Sequence, residues 1–209
     1  MLLSDVFQNF TKKEFTKVKE HSPSLPKTLR RGREAALELL PILKTKLVAS
    51  DGRLHAGTML SAAAWLTGTS LYRSFKFKEE ARPGTIIKSD KVNKEWESLI
   101  YLLEQYSFQK ADIPVGRLVL AAMAAPAFFK PEVEMLYVQS ELQGQYNAVM
   151  KKQGFDYLDG ARVGIILCSI LIQQYSAARI IDPDVAAGMV AHRIFEAATA
   201  VPPPLKSAS

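Results

Sequence analysis

Residues 51–75 read DGRLHAGTMLSAAAWLTGTSLYRSF, with no charged side chain between His55 and Arg73. Asp51 and Gly52 mark a turn, because glycine enters the positive-φ region that closes a helix and aspartate tolerates it. From about Arg53 to Phe77 the pattern is helical. Gly57, Ser61, Ala64 and Gly68 recur at spacings of four, three and four, which puts four small side chains on one stripe. Leu60, Thr67, Leu71 and Phe75 form the neighbouring stripe, and Met59, Ala63, Leu66 and Ser70 the next. A helix that is apolar or small all round is buried on most sides. A central helix over 53–77 is therefore expected, with Gly57, Ser61, Ala64 and Gly68 as positions where another backbone packs closely.

This stretch does not suit a membrane. Its uncharged run, Ala56 to Tyr72, is 17 residues and is diluted by Gly57, Thr58, Ser61, Thr67, Gly68, Thr69 and Ser70. A spanning helix takes about 20 predominantly apolar residues. Leu118–Phe129 and Val163–Tyr175 are shorter still, so all three read as helices buried in protein.

Working outward toward the N-terminus, Pro26 to Ala49 carries Leu29, Ala36, Leu37, Leu40, Leu43, Leu47 and Val48 at three- and four-residue spacings, the pattern of one buried stripe. Pro41 falls inside it. An interior proline loses a backbone bond and costs about 3 kcal/mol, so a kink or a division is expected there. Before it, prolines 23 and 26 break the chain, and Ser4–Glu20 reads as a first helix with Val6, Phe7, Phe10, Phe15 and Val18 on its apolar side. Thr11 and Glu14 have capping-box spacing within that segment.

Toward the C-terminus, residues 76–93 form a long connection in which Thr85-Ile86-Ile87 could be extended, without an evident partner. Ser89 or Asp90 caps the next helix, whose buried side uses Trp96, Leu99, Ile100, Leu103 and Tyr106. Asp112-Ile113-Pro114 opens a helix over Val115–Phe129, and Lys130–Glu134 opens another that runs through Met150 and stops before Gly154. Asp156 and Asp159 cap the most hydrophobic run, Asp159–Arg179. Its β-branched residues favour a strand, but its length far exceeds the usual strand of about 5 to 6 residues. Asp182-Pro183-Asp184 starts a last helix to about Val201, and Pro202-Pro203-Pro204 stops it. The expected architecture is an all-α, single-domain bundle of about seven to eight helices over residues 1–201. A subdivision, if present, falls in the 76–93 connection, and residues 202–209 form a flexible tail.

The 209 residues are 48% apolar and 23% charged, enough to bury a substantial core without covalent staples. One cysteine, Cys168, excludes an internal disulfide and fits a reducing compartment. The N-terminus has Asp5 and no unbroken apolar run before its lysines, unlike a secretory signal, so the cytoplasm is expected. The net charge is +6, and residues up to Arg53 hold 11 basic against 6 acidic side chains, or +5. That N-terminal excess, centred on Lys27, Arg30, Arg31 and Arg33, could attract an acidic partner or nucleic acid.

Chemistry-bearing patterns are sparse. The histidines stand singly, with no Glu-x-x-His pair and no closely spaced Cys or His set, so neither metal nor other cofactor is expected. His192 and Glu196 share a helix face, an arrangement that is more often an ion pair than a site. Arg53 and Arg73 lie roughly 27 to 30 Å apart along a helix, over about 18 to 20 residues, too far for one anion site with His55. Gly160, Arg162 and Gly164 lack the context of a phosphate loop, and Cys168 lies in an apolar run where a thiol is inert.

Three functional readings follow. The favoured one is a non-enzymatic helical interaction or scaffolding protein that self-associates, as a homodimer, through its apolar small-residue helices. The second is a small-molecule binder or enzyme with an inter-helix pocket drawing on His55, Trp65, Tyr72, Arg117 or His192. The third is nucleic-acid binding through the basic cluster.

Overall fold

The computed structural model describes residues 27–49, 52–77, 81–107 and 131–205. The helix expected at Ser4–Glu20, the one expected at Val115–Phe129, and Arg117 lie outside them. Among the described residues seven helices form: α1 Lys27–Leu47, α2 Ala56–Ser74, α3 Asp90–Ser107, α4 Met135–Glu141, α5 Gln143–Lys152, α6 Tyr157–Ala177 and α7 Pro183–Thr199. They pack as an all-α bundle around the central helix.

α2 is that helix, and every residue from Ala56 to Tyr72 is buried. It starts three residues later than expected because His55 is the N-cap. The backbone there is extended (φ −79°, ψ 120°), and the imidazole Nδ1 accepts from the Thr58 amide at 3.3 Å, the role usually taken by a serine or aspartate oxygen. α7 and α6 cover most of α2, and α4 and α1 close the remaining sides. One apolar cluster joins Leu39, Leu60, Leu103, Val138, Leu167 and Ile194, drawn from six helices.

Glycines set the closest approaches. A Cβ at Gly68 would overlap the Ile194 carbonyl oxygen and stand 2.9 Å from Ala197 Cβ and 3.0 Å from Ala198 N, so the α2 and α7 backbones touch. On α6, a Cβ at Gly164 would overlap Thr67 Oγ1 and stand 2.7 Å from the Tyr146 hydroxyl.

Several boundaries and faces differ from expectation. α1 is undivided at Pro41. Pro41 and Leu37, whose carbonyl the proline leaves without its helical donor, are both exposed, so water can take over that bond. Ala36, Leu40, Leu43 and Leu47 form the buried stripe of α1, whereas Leu37 and Val48 are 47% and 46% exposed. At 100° per residue these two lie roughly a quarter turn or more from the buried stripe, which explains why the core does not reach them. The helix expected through Met150 is broken at Leu142 (φ −111°), giving α4 and α5.

The hydrophobic run forms helix α6, capped by Asp156, whose Oδ1 accepts from Asp159 N at 2.8 Å. Asp182 caps α7, accepting from Asp184 N at 2.9 Å. α7 ends because the chain turns extended at Ala200 and pairs with the 76–93 connection in a single antiparallel bridge, Ile86 to Ala200. Ile87 N donates to Thr199 O at 2.7 Å, Val201 N to Thr85 O at 2.9 Å, and Gly84 N to Val201 O at 2.8 Å. Within the segment expected as a tail, Pro202 is buried and the Pro203 carbonyl accepts from Arg73 Nη2 at 2.6 Å.

Candidate functional site

The residues singled out for an inter-helix pocket do not converge. His55 and Tyr72 stand at opposite ends of α2, about 25 Å apart at 1.5 Å per residue. His55 is occupied as a cap, its Nδ1 also lying 3.0 Å from Thr58 Oγ1. Trp65 is buried and donates from Nε1 to Glu196 Oε2 at 2.9 Å, with the Arg193 guanidinium 5.4 Å above its ring. Arg193 Nη1 closes the triad on the same Glu196 oxygen at 2.8 Å. Glu196 thus faces Trp65 and Arg193, and His192 stays on the exposed side of α7. Tyr72 packs against Phe77 with ring centroids 5.1 Å apart. These are packing contacts. Arg117 lies outside the described residues.

Two buried polar features had no strong signature in the sequence. The first joins α2 to α4 and α5. Gln139 Nε2 donates to Thr69 Oγ1 at 2.8 Å, and Gln143 Nε2 to Ser70 Oγ at 3.3 Å. Tyr146 OH donates to the Gly160 carbonyl at 2.6 Å, and burial pushes its phenol well above the usual range. Thr67 Oγ1 donates to Ala63 O at 2.7 Å and lies 3.9 Å from Cys168 Sγ. Burial pushes the Cys168 thiol up to about 12, so at neutral pH it is protonated and not a nucleophile. The buried amide oxygens of Gln139 and Gln143 have no hydrogen-bond partner among the described residues. In the sequence Gln139, Gln143, Tyr146 and Asn147 share a helix face that reads as solvated; only the matching hydroxyls of α2 reveal it as internal.

The second feature is Glu104 on α3. It is 4% exposed, desolvation pushes its carboxyl up to about 7, and Oε1 has no hydrogen-bond partner among the described residues. One turn on, Ser107 Oγ donates to Ser169 Oγ at 3.2 Å. A glutamate next to Leu103 on an apolar face was the available signal.

An open cleft of about 430 Å³ lies where the C-terminal end of α1 meets the approach to α4. Lys46, Leu47, Val48, Thr58, Val133 and Tyr137 are among its walls. Thr58 Oγ1 holds the floor by accepting from Glu132 N at 2.9 Å. Val48 and Tyr137, 46% and 47% exposed, form an apolar lip. From that lip the outward side of α1 runs back through Lys44, Pro41, Leu37, Arg33 and Arg30, all exposed.

The described members of the basic cluster do not share one face. Arg31 turns inward, its guanidinium 5.2 Å from the Phe155 ring centroid and Nε 3.5 Å from Gln153 Oε1. Arg30 meets Glu34 at 3.6 Å and Lys152 meets Glu38 at 2.9 Å, both on the surface. The Lys27 side chain is outside the description.

Among the described residues, no three of His, Cys, Asp and Glu come together as a metal site, and no helix is long and apolar enough to cross a membrane. No protein-family model, curated protein or solved structure matches this chain.

Proposed function

We propose that this chain is a non-enzymatic helical interaction protein that presents the outward face of α1 and the adjoining cleft to a partner, in the cytoplasm. One observation carries the reading. Leu37, Val48 and Tyr137 are 47%, 46% and 47% exposed, Val48 and Tyr137 at the cleft and Leu37 on the outward side of α1 that leads to it, while Ala36, Leu40, Leu43 and Leu47 are buried. Exposed apolar side chains that gather in this way, next to a cleft, are where association gains most from excluding water. The small-residue stripe of α2 cannot serve a partner, because Ile194 and Ala197 of the same chain already fill it at Gly68.

The test is selection of a displayed library of helical peptides against the full chain, with enriched clones reassayed on Val48→Glu and Tyr137→Glu. Clones that lose about tenfold or more in affinity, as truncating interface anchors does, support the reading. Clones indifferent to both substitutions, or no enrichment, overturn it. A small molecule seated in the cleft alone would not need Leu37, so binding that survives Leu37→Glu but not Tyr137→Glu would assign the cleft to a small ligand instead.

Self-association is a second reading, favoured by a different surface. Phe195, 36% exposed on α7, rests edge-on against Trp96 of α3 with centroids 5.1 Å apart. Sedimentation velocity at micromolar concentration is expected to show a dimer that Phe195→Glu returns to monomer; monomer throughout removes this reading.

A further inference from the structure

We propose that the outward face of α1 docks an acidic amphipathic helix from a partner protein, an assignment that rests on the interaction reading above. At 100° per residue Arg30, Arg33, Leu37, Pro41, Lys44 and Val48 fall within a sector about 80° wide, one helix stripe. From Arg30 to Val48 this stripe is about 27 Å long, or five turns. All six side chains are exposed. Arg30 and Arg33 hold one end of it and Lys44 lies near the other, with Leu37 and Pro41 between them and Val48 beyond. A complementary surface must therefore be apolar opposite Leu37 and Pro41 and acidic to either side along the helix.

The charge is available. The two acids of α1 are engaged, Glu34 with Arg30 at 3.6 Å and Glu38 with Lys152 at 2.9 Å. Arg33, Lys44 and, beside the cleft, Lys46 have no ion pair among the described residues. A helix packs on another at about 8 to 10 Å, close enough for its flanking carboxylates to reach these cations while its apolar ridge covers Leu37 and Pro41. The cleft beyond Val48 then receives one large terminal side chain.

The other occupants fit less well. A second copy of α1 packed antiparallel would set Arg30 and Arg33 against Lys44 and Lys46, and like charges across an interface cost several kcal/mol. Nucleic acid would use the cations, yet its phosphates would bury Leu37, Pro41 and Val48 without apolar contact.

The probe is a labelled synthetic peptide of about five helical turns, with leucines on the 37, 41, 48 spacing and glutamates beside them, titrated against the full chain by anisotropy. A charge-reversed lysine twin and a short DNA duplex are the comparisons. Saturable binding of the acidic peptide is expected, weakened by salt and by about tenfold in each of Lys44→Glu and Leu37→Glu, with circular dichroism unchanged. Equal binding of the lysine twin, tighter binding of DNA that Leu37→Glu leaves untouched, or no saturable binding of the acidic peptide overturns the proposal. The display selection separates the two levels. Clones that need Val48 but carry basic or uncharged faces remove the acidic-helix assignment and keep the interaction reading, whereas clones indifferent to both Val48 and Tyr137 remove both.

Discussion

Toward α7 the central helix offers Gly68, and the Ile194 carbonyl and Ala197 move in against its backbone. Toward α4, α5 and α6 it offers Thr67, Thr69 and Ser70, which meet Gln139, Gln143, Tyr146 and two glycines. The first contact, at Gly68, is made of backbone and the Ala197 methyl, so it gains dispersion energy and has nothing that can swing aside, with the Trp65–Glu196 hydrogen bond one turn away. The second is made of side chains whose hydrogen bonds contribute about 1 kcal/mol net apiece and whose rotamers can adjust. On one helix, then, the Gly68 side fixes how near a neighbour lies and the polar side fixes which residues face each other.

That contrast can be broken by substitution. Gly68→Leu should cost the most, about 3 kcal/mol in chemical denaturation, because the added atoms strike the α7 backbone. A neutral result would mean that α7 can withdraw and that the Gly68 side is not rigid. Gly164→Ala should cost less, about 2 kcal/mol, since the neighbours are the Thr67 and Tyr146 side chains and alanine recovers some helix propensity. A loss equal to that of Gly68→Leu would erase the distinction between the sides.

Tyr146→Phe removes one hydrogen bond and no packing, for about 1 kcal/mol. Glu104→Gln extends the contrast to α3 and acts in the opposite direction, as a stabilising change. The folded pKa of Glu104, about 7, lies above its ordinary 4.5, so the folded state binds the extra proton between those values. Its contribution is whole below about pH 4.5 and is lost as pH rises through 7. At pH 7 the amide should therefore stabilise by about 3 kcal/mol, a gain that builds between about pH 4.5 and 7, changes little toward pH 9 and vanishes in acid. Urea titrations across pH that run parallel for the two proteins would show that this carboxyl is solvated.

The parts of the fold that were legible depend on local chemistry. Asp156 and Asp182 announce the starts of α6 and α7, and the small residues of the 53–77 stretch announce a buried helix. What escaped depends on distant partners. His55 as a cap, Thr85–Ile87 as half of a bridge, and Gln139 and Gln143 as interior residues each acquire meaning only from a residue 3, 114 or about 70 positions away. The outward face of α1 was misread for a related reason. Leu37 and Val48 satisfied a three-and-four spacing rule, but the buried face extends to the other side of the stripe, taking Ala35 and Leu39 with Ala36, Leu40, Leu43 and Leu47.

The bridge between residues 84–87 and 199–201 bears on how the chain could be divided. It ties the connection after α2 to the end of the molecule, and α2 itself lies between α6 and α7. A polypeptide ending at Phe77 and a second beginning at Ala81 would separate α1 and α2 from α3 to α7, yet the second would retain the bridge and the groove that α2 fills. The two pieces should reconstitute when expressed together, as a split reporter fused to their cut ends would register, and Gly68→Leu in the first piece should silence that signal.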